Sequence, residues 1–164
     1  LPPLDAQLAA WKDFDPTIER IGLIIGEGHE DLLTDAQLAA QKHDIELVVQ
    51  TTKSDQETLY FFRRMIRDID GFWLFPDNRI LSSRVLQQML ADAKRQRVSV
   101  NVPTESMLSL GAMISLSTNA SDIAETIVKI VRRIQADGLD SIPPITQLSE
   151  IRVRTNNDRQ VVQR

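Results

Sequence analysis

The sequence contains no cysteine. That absence removes disulfides, thiol nucleophiles and thiolate metal ligands, while saying little about compartment. Histidine is nearly missing too, with His29 and His43 the whole supply. No His-x-x-x-His pair and no GxSxG elbow accompanies them, so neither a metal centre nor a hydrolytic triad has its parts. There is no excess of positive charge: 19 Lys and Arg face 23 Asp and Glu, for a net charge of −4 and a pI near 5.2. A phosphate-backbone binder needs a clustered basic face, so nucleic acid is not an expected partner. Long apolar runs are lacking as well. None approaches the roughly 18 to 20 residues that span a bilayer, and the opening LPPLDAQLAAWKDFD has neither a basic start nor an apolar signal core. A leader removed ahead of Leu1 is compatible with this. Glycine is scarce, and its densest turn, GEGHED at residues 26–31, makes a poor phosphate cradle. The third glycine of a dinucleotide fingerprint is absent, no Gly-Lys-Ser/Thr follows, and Glu27, Glu30 and Asp31 repel phosphate. No cofactor is expected.

What is present reads as one α/β domain. With 164 residues, 42% of them hydrophobic, the chain is long enough for one well-buried core and too short for two full domains. Short apolar blocks at 20–25, 45–50, 71–75, 98–102 and 112–116 alternate with segments of helical period at 31–42, 56–67 and 82–95, the pattern of crossover units on a parallel sheet. Leu59, Phe62, Ile66 and Ile69 make one helical stripe, and Val85, Met89, Leu90 and Ala93 another. The expected fold is a flavodoxin-like, doubly wound three-layer sandwich. Residues 1–19 read as a leading helix or linker, 20–156 as the lobe with an edge strand at 150–154, and 157–164 as a polar tail that frays. Ile123, Ile127, Ile130, Val131 and Ile134 form the cleanest stripe, with Asn119 or Ser121 before it and Gly138 after.

The stretch GFWLFPDNRILSS at 71–83 carries the functional reading. A strand as apolar as Phe72, Trp73, Leu74 and Phe75 runs directly into Pro76, Asp77 and Asn78. In open parallel sheets ligands meet the crevice outside the carboxyl ends of the strands, and there Asp77 and Asn78 belong. Glu27, Gly28 and His29 follow the first strand onto the same rim, and Thr104, Glu105 and Ser106 follow the fourth. Asp77 and Ser82 also suit the start of a helix, where a cap needs no ligand. A phosphoacceptor receiver has the same fold, with Asp77 in the accepting role, but GAMISLSTN supplies no lysine at the fifth strand to neutralise a phosphoryl group.

The order RIGLIIGEG, DGFWLFPDN, RVSVNVPTESMLSLGAMISLSTNASDIAETIVKIVRRI, then a proline-containing return to about Asn156, resembles the second half of ABC-transporter substrate-binding proteins of the type I periplasmic-binding fold, in the branch with tryptophan- and tyrosine-uptake lipoproteins. The most specific pieces are Asp-Gly-x-x-x-x-Pro-Asp-Asn from Asp70 to Asn78 and x-Gly-Ala-x-x-Ser-x-Ser around Gly111. The resemblance implies a non-enzymatic lobe that helps hold a small, amino-acid-like solute through residues 27–29, Asp77, Asn78 and 104–106. It further implies a membrane transporter or sensor as partner and a periplasmic or extracytoplasmic place of work. It also raises a problem, because such proteins are about twice this long and half a clamp cannot close alone. One lobe cut from a longer chain, a missing lobe supplied by another chain, and a lobe reused as a signalling or regulatory interaction module all remain open. In each case the isoleucine helix is left without its usual cover, and a homodimer or a swapped arrangement is expected.

Overall fold

A computed structural model describes residues 2–75, 81–118, 120–141 and 151–156. Six strands form one sheet: β1 (Arg20–Gly26), β2 (Glu46–Thr52), β3 (Gly71–Trp73), β4 (Ser99–Val102), β5 (Ile114–Ser117) and β6 (Arg152–Thr155). Their order is β2-β1-β3-β4-β5-β6, with the first five parallel and β6 antiparallel to β5. The doubly wound α/β expectation holds. Three helices make the crossovers: α2 (Glu30–Lys42) from β1 to β2, α3 (Asp55–Met65) from β2 to β3, and α4 (Ser83–Gln96) from β3 to β4. The chain steps outward from β1 to β2, then back past β1 to β3. Right-handed crossovers therefore put α2 on one face and α3 and α4 on the other.

Strict alternation along the strands divides the interior in two. Phe72, Leu74, Val100 and Val102 join Phe62, Met65 and Ile66 of the α3 region and Met89 and Leu90 of α4 in one core. Trp73, Phe75, Ile21, Leu23, Ile114 and Leu116 join Ala36, Ala39 and Ala40 of α2 in the other. The leading segment contributes to this second core, because α1 (Leu4–Phe14) places Leu8 and Trp11 there with no exposed surface. Trp11 lies so close to β3 that a Cβ on Gly71 would come within 2.8 Å of its ring, so glycine is what allows the approach. Both buried indoles have their N–H groups met, Trp11 by Ser99 Oγ at 3.2 Å and Trp73 by Gln7 Oε1 at 3.3 Å. A buried indole donor otherwise costs stability, so these bonds fix how α1 lies across the sheet.

Residues 104–106, read as a loop after the fourth strand, lead into a 3₁₀ helix, Glu105–Leu110, that was not expected. The isoleucine helix, α5 (Ala120–Asp137), forms as expected, and none of its described side chains is buried. Ile123, Ile127, Val128 and Val131 are all exposed, Ile127 by 54%. The expected tail at 157–164 lies outside the described residues.

The two helices on one face are tied by charge. Asp92, nearly buried on α4, accepts from Arg63 of α3 at 2.9 Å and pairs with Arg95 one turn along its own helix. Burial pushes the Asp92 carboxyl up, but hydrogen bonds and charge from the two arginines outweigh it and hold it below its ordinary value. A depressed folded-state pKa means that the ionised form stabilises the fold above the unfolded pKa, and that this is lost as pH falls through the folded one. Asp92→Asn is therefore expected to lower stability at neutral pH by about 1–2 kcal/mol. Denaturant titrations should show parent and variant converging in the acidic range; an equal gap at all pH values would contradict this role.

Candidate functional site at the carboxyl edge of the sheet

The strand reversal sits between β1 and β3, and their carboxyl ends point to one edge. Leu23, Trp73 and Asn101 are level across β1, β3 and β4, and β1 runs on past that level to Gly26. Neighbouring strands are about 4.8 Å apart, so the loops after β1 and β4 stand roughly 10 Å from one another with the end of β3 between them. That gap suits a small solute.

Glu27 and Gly28 are exposed on this edge, with His29 half-buried as the N-cap residue of α2. Gly28 has φ of +82°, so the backbone conformation of the turn into α2 favours glycine even though open space surrounds it. The Nδ1 of His29 lies 3.3 Å from the Gly26 carbonyl and 3.2 Å from that of Glu27, contacts that hold the ring against its own turn. The Glu27 carboxylate meets Lys53, just beyond β2, at 3.0 Å. A hydrogen bond to Glu27, and then its charge, raise the Lys53 ammonium above its usual range. Both groups face solvent, so the pair holds weakly and can open to a competing charge.

Thr104, Glu105 and Ser106 are exposed where the 3₁₀ turn begins, and the Thr104 and Ser106 hydroxyls lie 3.1 Å apart. Glu105 is already engaged, since its Oε1 lies 3.0 Å from Arg152 Nε and 3.4 Å from Arg154 Nε. Lys53, Arg152 and Arg154 were not visible as rim residues in the sequence. Finding them requires knowing that β2 flanks β1 and that a late strand returns antiparallel beside β5. The Arg-Val-Arg alternation at 152–154 is the one local signal, because period two sends both cations to one face.

Asp77 and Asn78 lie outside the described residues. Their surroundings still bear on their role. Leu74 and Phe75 are buried, and the Leu74 N–H continues the ladder to the Asn101 carbonyl at 2.9 Å. At the far side of the gap Ser82 is the N-cap of α4, its Oγ accepting from Val85 N. The capping duty that the sequence left open between Asp77 and Ser82 is thus filled by Ser82. The start of the same motif is architectural. Asp70 Oδ2 accepts from the backbone N–H groups of Glu19 and Arg20 at 3.0 and 2.8 Å, and Gly71 makes room for Trp11.

Among the described residues no cluster of three His, Asp or Glu side chains is placed to hold a metal, and no helix is long and apolar enough to cross a membrane. A hollow of about 550 Å³ between α4, the 3₁₀ turn and β6 is bordered by Leu90, Lys94, Leu108, Leu110, Gly111 and Asn156, none of them a residue expected at the solute site.

Residues 2–150 match the family model described as ABC transporter substrate binding protein. No curated protein matches the chain. Among solved structures, a conserved domain protein from Vibrio cholerae is 19% identical with a TM-score of 0.70, the match covering 94% of this chain and 53% of that one. The ABC domain from Streptococcus pneumonia solved in complex with L-Trp is 15% identical with a TM-score of 0.68, covering 93% and 53%. A ligand-free, open substrate binding protein with adhesive properties from Clostridium difficile is 18% identical with a TM-score of 0.69, covering 94% and 52%. This chain therefore spans about half the length of each of them. At such identities the likeness establishes the fold.

Proposed function

From the premise that the chain belongs to the ABC transporter substrate binding protein family, we propose that it is one lobe of a solute clamp that binds a small amino-acid-like molecule at its carboxyl rim. The observation that carries this reading is the convergence of residues 27–29 and 104–106 on the two sides of the end of β3, at the strand reversal. The L-Trp printed for the pneumococcal relative supports an amino acid as the class of solute. On this reading Asp77 pairs with the solute ammonium, Asn78 and the Thr104 and Ser106 hydroxyls orient it, and Glu27 and His29 line the near wall. Delivery to a membrane transporter outside the cytoplasm is the role that family membership favours. No catalytic step is proposed.

The Asp77→Asn change tests the assignment. With Ser82 capping α4, the substitution should leave stability within about 0.5 kcal/mol of the parent. Loss of a charge pair in a partly desolvated site should weaken amino-acid binding by about 2 kcal/mol or more. Calorimetry against a panel of amino acids measures both proteins; equal affinity for the two removes Asp77 from the site.

We further propose that two copies pair through α5. Ile123, Ile127, Ile130 and Ile134 recur at alternating intervals of four and three, the spacing of a self-complementary helix seam, and Ile123 and Ile127 are exposed. A signalling or regulatory interaction module would use the same surface. Sedimentation is expected to show a concentration-dependent dimer that Ile127→Glu abolishes; a monomer at the highest concentration contradicts the pairing.

A further inference from the structure

We infer that Arg152 and Arg154, steadied by Glu105, form an anion-binding pole of the rim that takes a carboxylate group of the solute. This deepens the solute-site reading and rests on it. Because β6 runs antiparallel to β5, it enters the sheet at the carboxyl edge. Arg152 stands opposite Ser117, the last residue of β5, and Arg154 opposite Ser115. The two arginines are two residues apart and share a face, on the side where the 3₁₀ turn begins. Both approach a single oxygen of Glu105 through Nε, at 3.0 and 3.4 Å.

The stoichiometry of this cluster is unbalanced. Two guanidiniums carry two positive charges and five N–H donors each, whereas one carboxylate offers a single negative charge and about four lone-pair positions. Among the described residues Glu105 therefore leaves one positive charge and several donors over. Each of the three side chains is about half exposed, with 43% for Arg152, 53% for Arg154 and 42% for Glu105, so an anion from water can reach them. A second observation lies on the same face. Ser115 Oγ, directly across from Arg154, is fully buried and has no hydrogen-bond partner among the described residues. The Thr104 and Ser106 hydroxyls flank Glu105 in sequence and bring further donors to the same turn. On the other side of the strand reversal Lys53 faces both Glu27 and Glu57, so among the described rim residues the surplus of positive charge lies at β6. A carboxylate fits better than a phosphate, because Glu105 remains in place and repels a dianion more strongly than a monoanion. A planar carboxylate also matches the guanidinium fork.

The pole can be read directly on the whole chain by following the Nε–Hε resonances of Arg152 and Arg154. Acetate, acetamide and sodium chloride serve as the probes, at constant ionic strength. Acetate is expected to shift both resonances saturably and acetamide to leave them unmoved. Arg154→Gln, which keeps the Arg152–Glu105 pair, should abolish saturation. Glu105→Gln should tighten acetate binding several-fold, because an internal competitor for the same donors is gone. Acetate shifts no larger than those from chloride would overturn the pole, and so would weaker or unchanged acetate binding in Glu105→Gln while the β5–β6 amide shifts stay in place. Should Glu105→Gln detach β6, the Arg154→Gln result alone decides. If amino acids still perturb residues 27–29 while acetate fails at β6, the pole is wrong and the solute-site reading survives; if neither responds, both fall.

Discussion

A strand buried on both faces has room for few polar side chains, and each one it holds needs a partner. The middle of this sheet is close to that limit: β3 is wholly apolar, and in β4 the buried Ser99 meets the Trp11 N–H. Gly71, Phe72, Trp73, Leu74 and Phe75 are all buried, and the four residues of β4 are buried with them. β3 pairs with β1 and β4 along its two edges, β4 with β3 and β5, and both faces are committed to packing. Recognition is thereby driven to the carboxyl edge, and the reversal between β1 and β3 fixes where along that edge a crevice opens. Whatever the solute, the fold leaves it one natural place to meet polar groups.

That edge is only as well defined as the layers holding it. On one face Trp11 lies over Gly71 with its N–H on Ser99, and Gln7 reaches across to Trp73, so α1 is keyed into β3 and β4, whose ends frame the site. On the other face Asp92 joins α3 to α4 through Arg63, and the Asp55 carboxylate at the start of α3 accepts the backbone N–H of Ser82 ahead of α4. This second contact anchors the far end of the segment that carries Asp77 and Asn78. The third flank is different in kind. There β6 is exposed along its length and is linked to the 3₁₀ turn by the ion pairs of Glu105. Such pairs hold weakly and can exchange partners, which suits a surface that meets ligand better than one that bears load.

Much of this was legible in the residues. The apolar blocks and helical stripes announced five parallel strands and the helices between them, because burial on both faces leaves a run of β-branched and aromatic side chains that few other environments tolerate. The strand-end position of residues 27–29 and 104–106 follows from the same runs. Strand order was expected from handedness rather than read from any residue, and contacts that depend on it stayed hidden. Glu27 with Lys53 joins two strand ends, and Glu105 with Arg152 joins a loop to a strand far along the chain. Residues 1–19 read only as a leading helix or linker, since so short a stretch carries no mark of how deeply Leu8 and Trp11 are buried. The 3₁₀ segment at ESMLSL escaped because two short turns of three-residue period barely differ from loop. The isoleucines of α5 were read correctly as a helix face, yet amphipathicity alone does not say whether a face is covered from within the chain.

The central claim is that the carboxyl rim at the strand reversal is where this chain meets a solute. Backbone amide shift mapping on the whole chain, titrated with a panel of amino acids into the millimolar range, tests it without requiring a second lobe or tight affinity. The account predicts saturable changes at residues 27–29, 76–78 and 104–106, joined by 152–154 for solutes that carry a carboxylate, with α5 and the β2 edge silent. Perturbations absent from those segments, or gathered instead around the hollow between α4 and β6, would contradict it.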